Sequence, residues 1–188
     1  MSKLILPNVN QLDEPFQVLA FDPGGTTGWA VCLYRPPTGG ADPTLNDFRI
    51  ATGEFIGPHH KELYDFIVSC KRDQGVIPTR LVCEPFDFRQ FARAEGDSAG
   101  KSKLELVSRE YIGIVTLASQ QLRLPLELRF KAGESKTWCP DEKLDKLGWL
   151  QRPVHPNRHK NDALRQLVKD LVVNLKVRYP LTTKWTDD

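Results

Sequence analysis

Apolar side chains recur along this chain in two rhythms, and the change from one to the other marks out its elements. Residues 17–22 (QVLAFD) and 27–34 (TGWAVCLY) are nearly unbroken apolar runs. Short runs of this kind, closed by turn residues, predict strands buried on both faces. Pro23-Gly24-Gly25 between them predicts the tight connection of a hairpin. Residues 35–46 are rich in Pro, Gly and Thr and predict a surface loop, after which 48–56 closes a three-stranded antiparallel meander. Leu63, Phe66, Ile67 and Cys70 then fall at helical spacing, which predicts an amphipathic helix over 59–74. Leu81, Val82 and Cys83 mark a fourth buried strand at 79–84.

The segment 85–103 has no clear period; it interleaves Phe86, Phe88 and Phe91 with Arg89, Arg93, Lys101 and Lys103. That pattern reads as a long functional loop or a mobile helix. Leu104, Val107, Tyr111, Val115, Ala118 and Leu122 predict a long helix, and 126–130 a fifth strand. The polar stretch 131–161 predicts one short helix, at 141–150. Leu164, Leu167, Val168, Leu171, Val172 and Leu175 form the stripe of a last helix that starts near Asn161 and ends before Pro180. There is no internal repeat and no dividing linker. The order predicts an α/β domain over 16–178, a mixed five-stranded sheet with helices on both faces. An N-terminal extension (1–15) and a C-terminal tail (179–188) flank it.

Composition narrows the class. The chain has 188 residues, 40% hydrophobic and 27% charged, which suits one globular domain and excludes whole-chain disorder or coiled coil. No apolar run approaches the roughly 18 residues of a membrane span. Leu4-Ile5-Leu6 before Pro7 is too short for the core of a signal peptide, so a cytoplasmic location is expected. Cys32, Cys70, Cys83 and Cys139 lie far apart with no paired spacing and read as reduced core residues. A net charge of +2 argues, taken alone, against a nucleic-acid partner. Its distribution argues the other way. Residues 1–88 hold 7 basic and 11 acidic groups, whereas 89–178 hold 18 and 11.

Three carboxylates end apolar elements: Asp22, Glu84 and Asp162. Each has an ordinary reading, as a turn residue, a solvated strand end and a helix N-terminal acid respectively. Their coincidence carries more weight. If the first and fourth strands are neighbours, Asp22 and Glu84 meet, and a helix packed across the sheet brings Asp162 to them. Three close carboxylates stay ionised only with cations, for which hard, oxygen-preferring Mg²⁺ is suited. His159 precedes Asp162 by three residues and shares its helix face. The Gly96–Ser102 stretch is no phosphate loop, since Glu95 occupies the place of its first glycine and no strand leads into it.

Asp22-Pro23-Gly24 with Gly28, Glu84 closing the fourth strand, and His159-x-x-Asp162-Ala163-Leu164 together resemble the motifs of RuvC-type Holliday junction resolvases, a branch of the ribonuclease H-like nucleases. Short phage-encoded members look especially similar around Asp22 to Trp29. The resemblance implies a ribonuclease H-like fold and a DNA endonuclease that resolves branched DNA by two-metal phosphodiester hydrolysis. Two Mg²⁺ per site, with Mn²⁺ as a substitute, would be held by Asp22, Glu84, His159 and Asp162, which are also the catalytic set. It further implies that Phe86 or Phe88 stacks on junction bases. Arg89, Arg93, Lys101, Lys103, Lys131, Lys136, Arg158 and Lys160 would meet DNA. A homodimer formed through the helix at 104–122 would place the two cuts. The chain departs from the family at 131–140, where a paired-lysine, glycine-rich stretch is replaced by KAGESKTWCP. Two other readings stand beside this one. Asp22 to Gly28 also resembles the first phosphate loop of sugar kinases and actin-like ATPases, although their second domain has no room here. A non-catalytic ribonuclease H-like nucleic-acid-binding module is the other.

Overall fold

A computed structural model describes residues 12–75, 77–85, 98–128, 130 and 132–186, with backbone only at 74, 98–106, 132 and 186. Strands β1 (Phe16–Asp22), β2 (Thr26–Tyr34) and β3 (Phe48–Ile56) form an antiparallel meander. Helix α1 (His60–Gln74) leads to β4 (Thr79–Cys83), which lies parallel to β1, and α2 (Ser98–Leu122) leads to β5 (Leu126–Glu127), parallel to β4. The resulting sheet is mixed, in the order β3-β2-β1-β4-β5. The rest is helical: α3 (Ala132–Trp138), α4 (Asp141–Lys146), α5 (Arg158–Lys169) with a π-turn at Asp170–Asn174, and α6 (Thr183–Thr186).

The unbroken apolar run of β1 follows from its central place. Val18 and Ala20 point to one face, where Ala163, Leu164, Leu167 and Val168 of α5 cover them. Leu19 and Phe21 point to the other, against Leu63 and Ile67 of α1 and Tyr111 and Val115 of α2. All four strand residues are fully buried, and each of the larger ones contributes about 1.5–3 kcal/mol by leaving water. The Tyr111 hydroxyl ties α2 to the β3–α1 connection, donating to the Gly57 carbonyl and accepting from the His59 amide. The cysteines are free. Burial pushes the Cys139 thiol up to about 12 and the half-buried Cys70 thiol up to about 11.

Several boundaries differ from the sequence expectation. Helix α2 begins at Ser98 instead of 104, through polar residues that carry no apolar stripe. Strand β5 holds two residues where five were expected. The polar stretch after it contains α3 as well as α4, because a seven-residue helix is too short to show a period. Helix α4 stops at Lys146, where Gly148 takes the left-handed conformation (φ 71°) that closes a helix and that side chains avoid. Helix α5 begins at Arg158, before its apolar stripe, so His159 and Asp162 both lie in it.

One polar cluster is built into the core. Arg80 of β4 is buried, with Nε 2.9 Å from the Asp170 carboxylate and Nη2 3.3 Å from Glu127. Asn174 donates to Asp170 as well. Burial outweighs these partners and raises the Asp170 carboxyl above its usual range. The cluster fastens the C-terminal end of α5 to the β4–β5 side of the sheet. Removing a partner from a buried pair leaves a charge with neither water nor counter-ion. Arg80→Ala is therefore expected to cost roughly 3–5 kcal/mol in urea unfolding; a loss below about 1 kcal/mol, within the range of an exposed pair, would show that the cluster does not hold the helix.

Candidate active site

Asp22 is the last residue of β1, and its side chain follows the alternation of Val18 and Ala20 onto the face that α5 covers. It is 9% exposed. The turn beyond it is closed by Thr27, whose hydroxyl donates to the Gly24 carbonyl and accepts from the Gly24 amide. Glu84 follows β4 directly. Phe21 and Cys83 are in register, and the Glu84 amide donates to the Phe21 carbonyl at 3.2 Å. The two acids therefore sit at adjacent strand ends.

Helix α5 reaches this corner because Gly28 has no side chain. Gly28 is the cross-strand partner of Asp22, and a Cβ built there would lie 2.0 Å from the His159 carbonyl oxygen. Backbone meets backbone at that point, which lowers the first turn of α5 onto the sheet. His159 Nδ1 consequently stands 2.8 Å from Asp22 Oδ2. Buried Asn161 fixes the approach to the helix by donating to the Gln151 carbonyl and accepting from the Gln151 amide.

The charges at this corner are balanced pair by pair. The bond to Asp22 raises the His159 pKa above the ordinary value, against the opposing effect of burial, and the charges of Asp22, Glu54 and Asp162 add to the rise. Asp162 is 5% exposed and is met by cations. Lys136 Nζ of α3 is 3.0 Å away, Arg158 Nε 3.8 Å, and Arg165 Nη1 donates to it. Arg165 also pairs with Asp141 and donates to the Cys139 carbonyl, so Asp162 joins α5 to α3 and α4. Among the described residues no three His, Cys, Asp or Glu side chains converge closely enough to hold a metal ion as they stand.

No protein-family model and no curated protein sequence matches this chain. Among solved structures, T. thermophilus RuvC in complex with Holliday junction substrate is similar to it, with a TM-score of 0.52 over 80% of this chain and 90% of that one at 15% identity. The chain has the RuvC fold.

Within that RuvC fold the four expected site residues are distributed unevenly. His159 is bonded to Asp22 at the end of β1 and Glu84 ends the adjacent strand, while Asp162 is engaged one helical turn further on. Of the expected DNA-contacting residues, Lys136 sits against Asp162, Arg158 is largely exposed beside it, and Lys160 donates to Asn157 Oδ1 at 3.0 Å. Phe86, Phe88, Arg89, Arg93 and Lys131 lie outside the described residues, as do the side chains of Lys101 and Lys103. Three residues of this corner escape sequence reasoning: Asn161, Arg165 and Glu54. Glu54 alone left a signal, since the alternation of β3 puts it on the same side as Phe48 and Ile50.

Two measurements test this geometry. A His pKa raised by its partner means that the contact stabilises the fold fully below the unfolded value of about 6.5 and is lost as pH rises through the folded value. In an NMR titration with chelator present, His159 should therefore titrate above an ordinary histidine and return toward about 6.5 in Asp22→Asn; an unchanged midpoint would refute the pairing. Gly28→Ala forces the first turn of α5 off the sheet. It is expected to lose roughly 1–3 kcal/mol in chemical unfolding and to lower the His159 midpoint with it.

Proposed function

We propose that this chain is a divalent-cation-dependent endonuclease acting on four-way or related branched DNA. The observation that carries the reading is the His159–Asp22 contact at the end of β1, beside the strand end that bears Glu84, in a RuvC fold. The solved relative in that fold was bound to a Holliday junction substrate. The carboxylates of the donor set fit the cations such chemistry needs, since carboxylate oxygens suit Mg²⁺ or Mn²⁺. His159 is already bonded to Asp22, a contact that raises the imidazole pKa above its ordinary value.

Asp22 and Glu84 would hold the metal, with His159 and Asp162 beside them. Bound divalent ions supply a nucleophile at neutral pH and neutralise charge on the phosphodiester and its leaving oxygen. The chain's own groups do the rest. Asp22 orients His159 through Nδ1, leaving the other ring nitrogen to hold or deliver a proton. Lys136 and Arg158 lie beside the acids on the strongly basic half of the chain, where they would meet backbone phosphates. Resolution of a four-way junction takes two opposed cuts, which a homodimer places by symmetry. Helix α2 is the surface we assign to that contact, because Leu117 on it is 47% exposed.

The test is cleavage of labelled four-way junction, flap and linear duplex by wild type and Asp22→Asn, with Mg²⁺ or with EDTA. Symmetric cutting of the junction is expected, abolished by EDTA and reduced roughly 100-fold or more by the substitution. Equal cutting by the variant would remove Asp22 from the mechanism. Binding without cutting would favour a non-catalytic module, and nucleotide turnover without cutting a phosphoryl-transfer enzyme.

A further inference from the structure

Strand β3 ends on an apolar side chain that little covers. Among the described residues Ile56 is the most exposed large hydrophobe, at 71%, ahead of Leu117, Val154 and Tyr179. A lone exposed apolar residue is ordinary; its place is what separates this one from the others. The alternation that sends Phe48 and Ile50 into the core beneath α5 puts Ile56 on the same sheet face as Asp22. Asp22, Gly28 and Glu54 form one cross-strand row, and Ile56, opposite Thr26, lies one pleat further toward the open end of the sheet. Two strand spacings across and one pleat along put it about 12 Å from Asp22 at the backbone. Glu84 follows β4, on the other side of β1 in the sheet, so Asp22 lies between the two. Helix α5 covers the Gly28 row with His159 and begins one residue earlier, at Arg158, which leaves Ile56 beyond it.

The backbone that carries Ile56 is fixed. It pairs with Thr26 at the end of the meander, and the next amide, of Gly57, donates to the Gly25 carbonyl at 3.4 Å in the turn that follows Asp22. Gly57 then turns the chain away with φ 86°, a left-handed conformation that side chains avoid. Tyr111, buried on α2, holds both sides of this turn through one hydroxyl, which donates to the Gly57 carbonyl and accepts from the His59 amide at 2.8 Å. The apolar tip is thus carried by a rigid support tied to the same turn as Asp22. A side chain held in place before binding loses little freedom on contact.

We propose that Ile56 is a wedge for the bases of branched DNA, inserting beside the branch point within about three or four nucleotides of the phosphate that Asp22 would face. The assignment rests on the branched-DNA reading above. Bases are the part of DNA this chemistry selects, because an apolar tip gains nothing from a phosphate and inserts where stacking is already interrupted. A continuous duplex offers no such gap, so the contact separates branched from linear DNA. Binding is measured in EDTA, where no strand is cut, with a four-way junction and a linear duplex that each carry a fluorescent adenine analogue, placed at the branch point and in mid-duplex. Wild type is expected to bind the junction more tightly than the duplex and to raise its fluorescence as the base unstacks. Ile56→Ala is expected to weaken junction binding about tenfold, to lose the fluorescence rise and to leave duplex binding unchanged, while Ile56→Leu, which restores an apolar tip, recovers both. Thermal unfolding checks that each variant folds, and Ile56→Thr, which keeps the β-branching suited to a strand, is read in place of an alanine variant that does not. Wild-type junction affinity and fluorescence in the folded variant, or an equal loss on junction and duplex, overturns the proposal and leaves the nuclease reading standing. A wild type that does not prefer the junction overturns both.

Discussion

Peptide lies against peptide where α5 crosses β2, and the rest of the molecule is arranged around that contact. With any side chain at position 28, the His159 carbonyl could not come so near the sheet. Because it does, one helix turn delivers His159 to Asp22 and places Asp162 within reach of α3. The far end of the helix is fastened separately through Arg80 and Asp170. A helix held at both ends has little freedom to slide, so its position at the strand ends is fixed by elements remote from them.

Charge is the second constraint. The half of the chain that forms the sheet is acidic and the remainder strongly basic, and at the strand ends the two compositions meet. Acids that would repel one another are instead interleaved with His159, Lys136, Arg158 and Arg165. This pairing reconciles a near-neutral total with a site built from carboxylates.

Much of the sheet was legible because burial on both faces leaves a plain trace: β1, β2 and β4 are continuous apolar runs bounded by turn residues. Asp22 and Glu84 could be picked out for the same reason, since each interrupts such a run where a carboxylate is costly. Helix α3 and the first turns of α2 and α5 left no trace, being polar segments that carry no apolar period. Gly28 was visible as a hairpin glycine, but the demand on it comes from a helix 131 positions later in the chain, which no local pattern records. Glu54 left only the alternation of its strand as a signal, and a single acid among Thr and Gly otherwise looks like a solvated position. Asp162 was visible as an acid, while its partners on α3 and α4 are set by folding alone.

The two-residue β5 bears on how copies of the chain can associate. A sheet edge recruits another chain through its row of unpaired amides and carbonyls, and the hazard grows with the length of that row. On the β5 side the row is too short to template a neighbouring strand. The opposite edge, β3, runs for nine residues. Extension of the sheet between molecules is thereby closed on one side by brevity alone, which leaves the helical surfaces and the β3 margin as the places where a second molecule can approach.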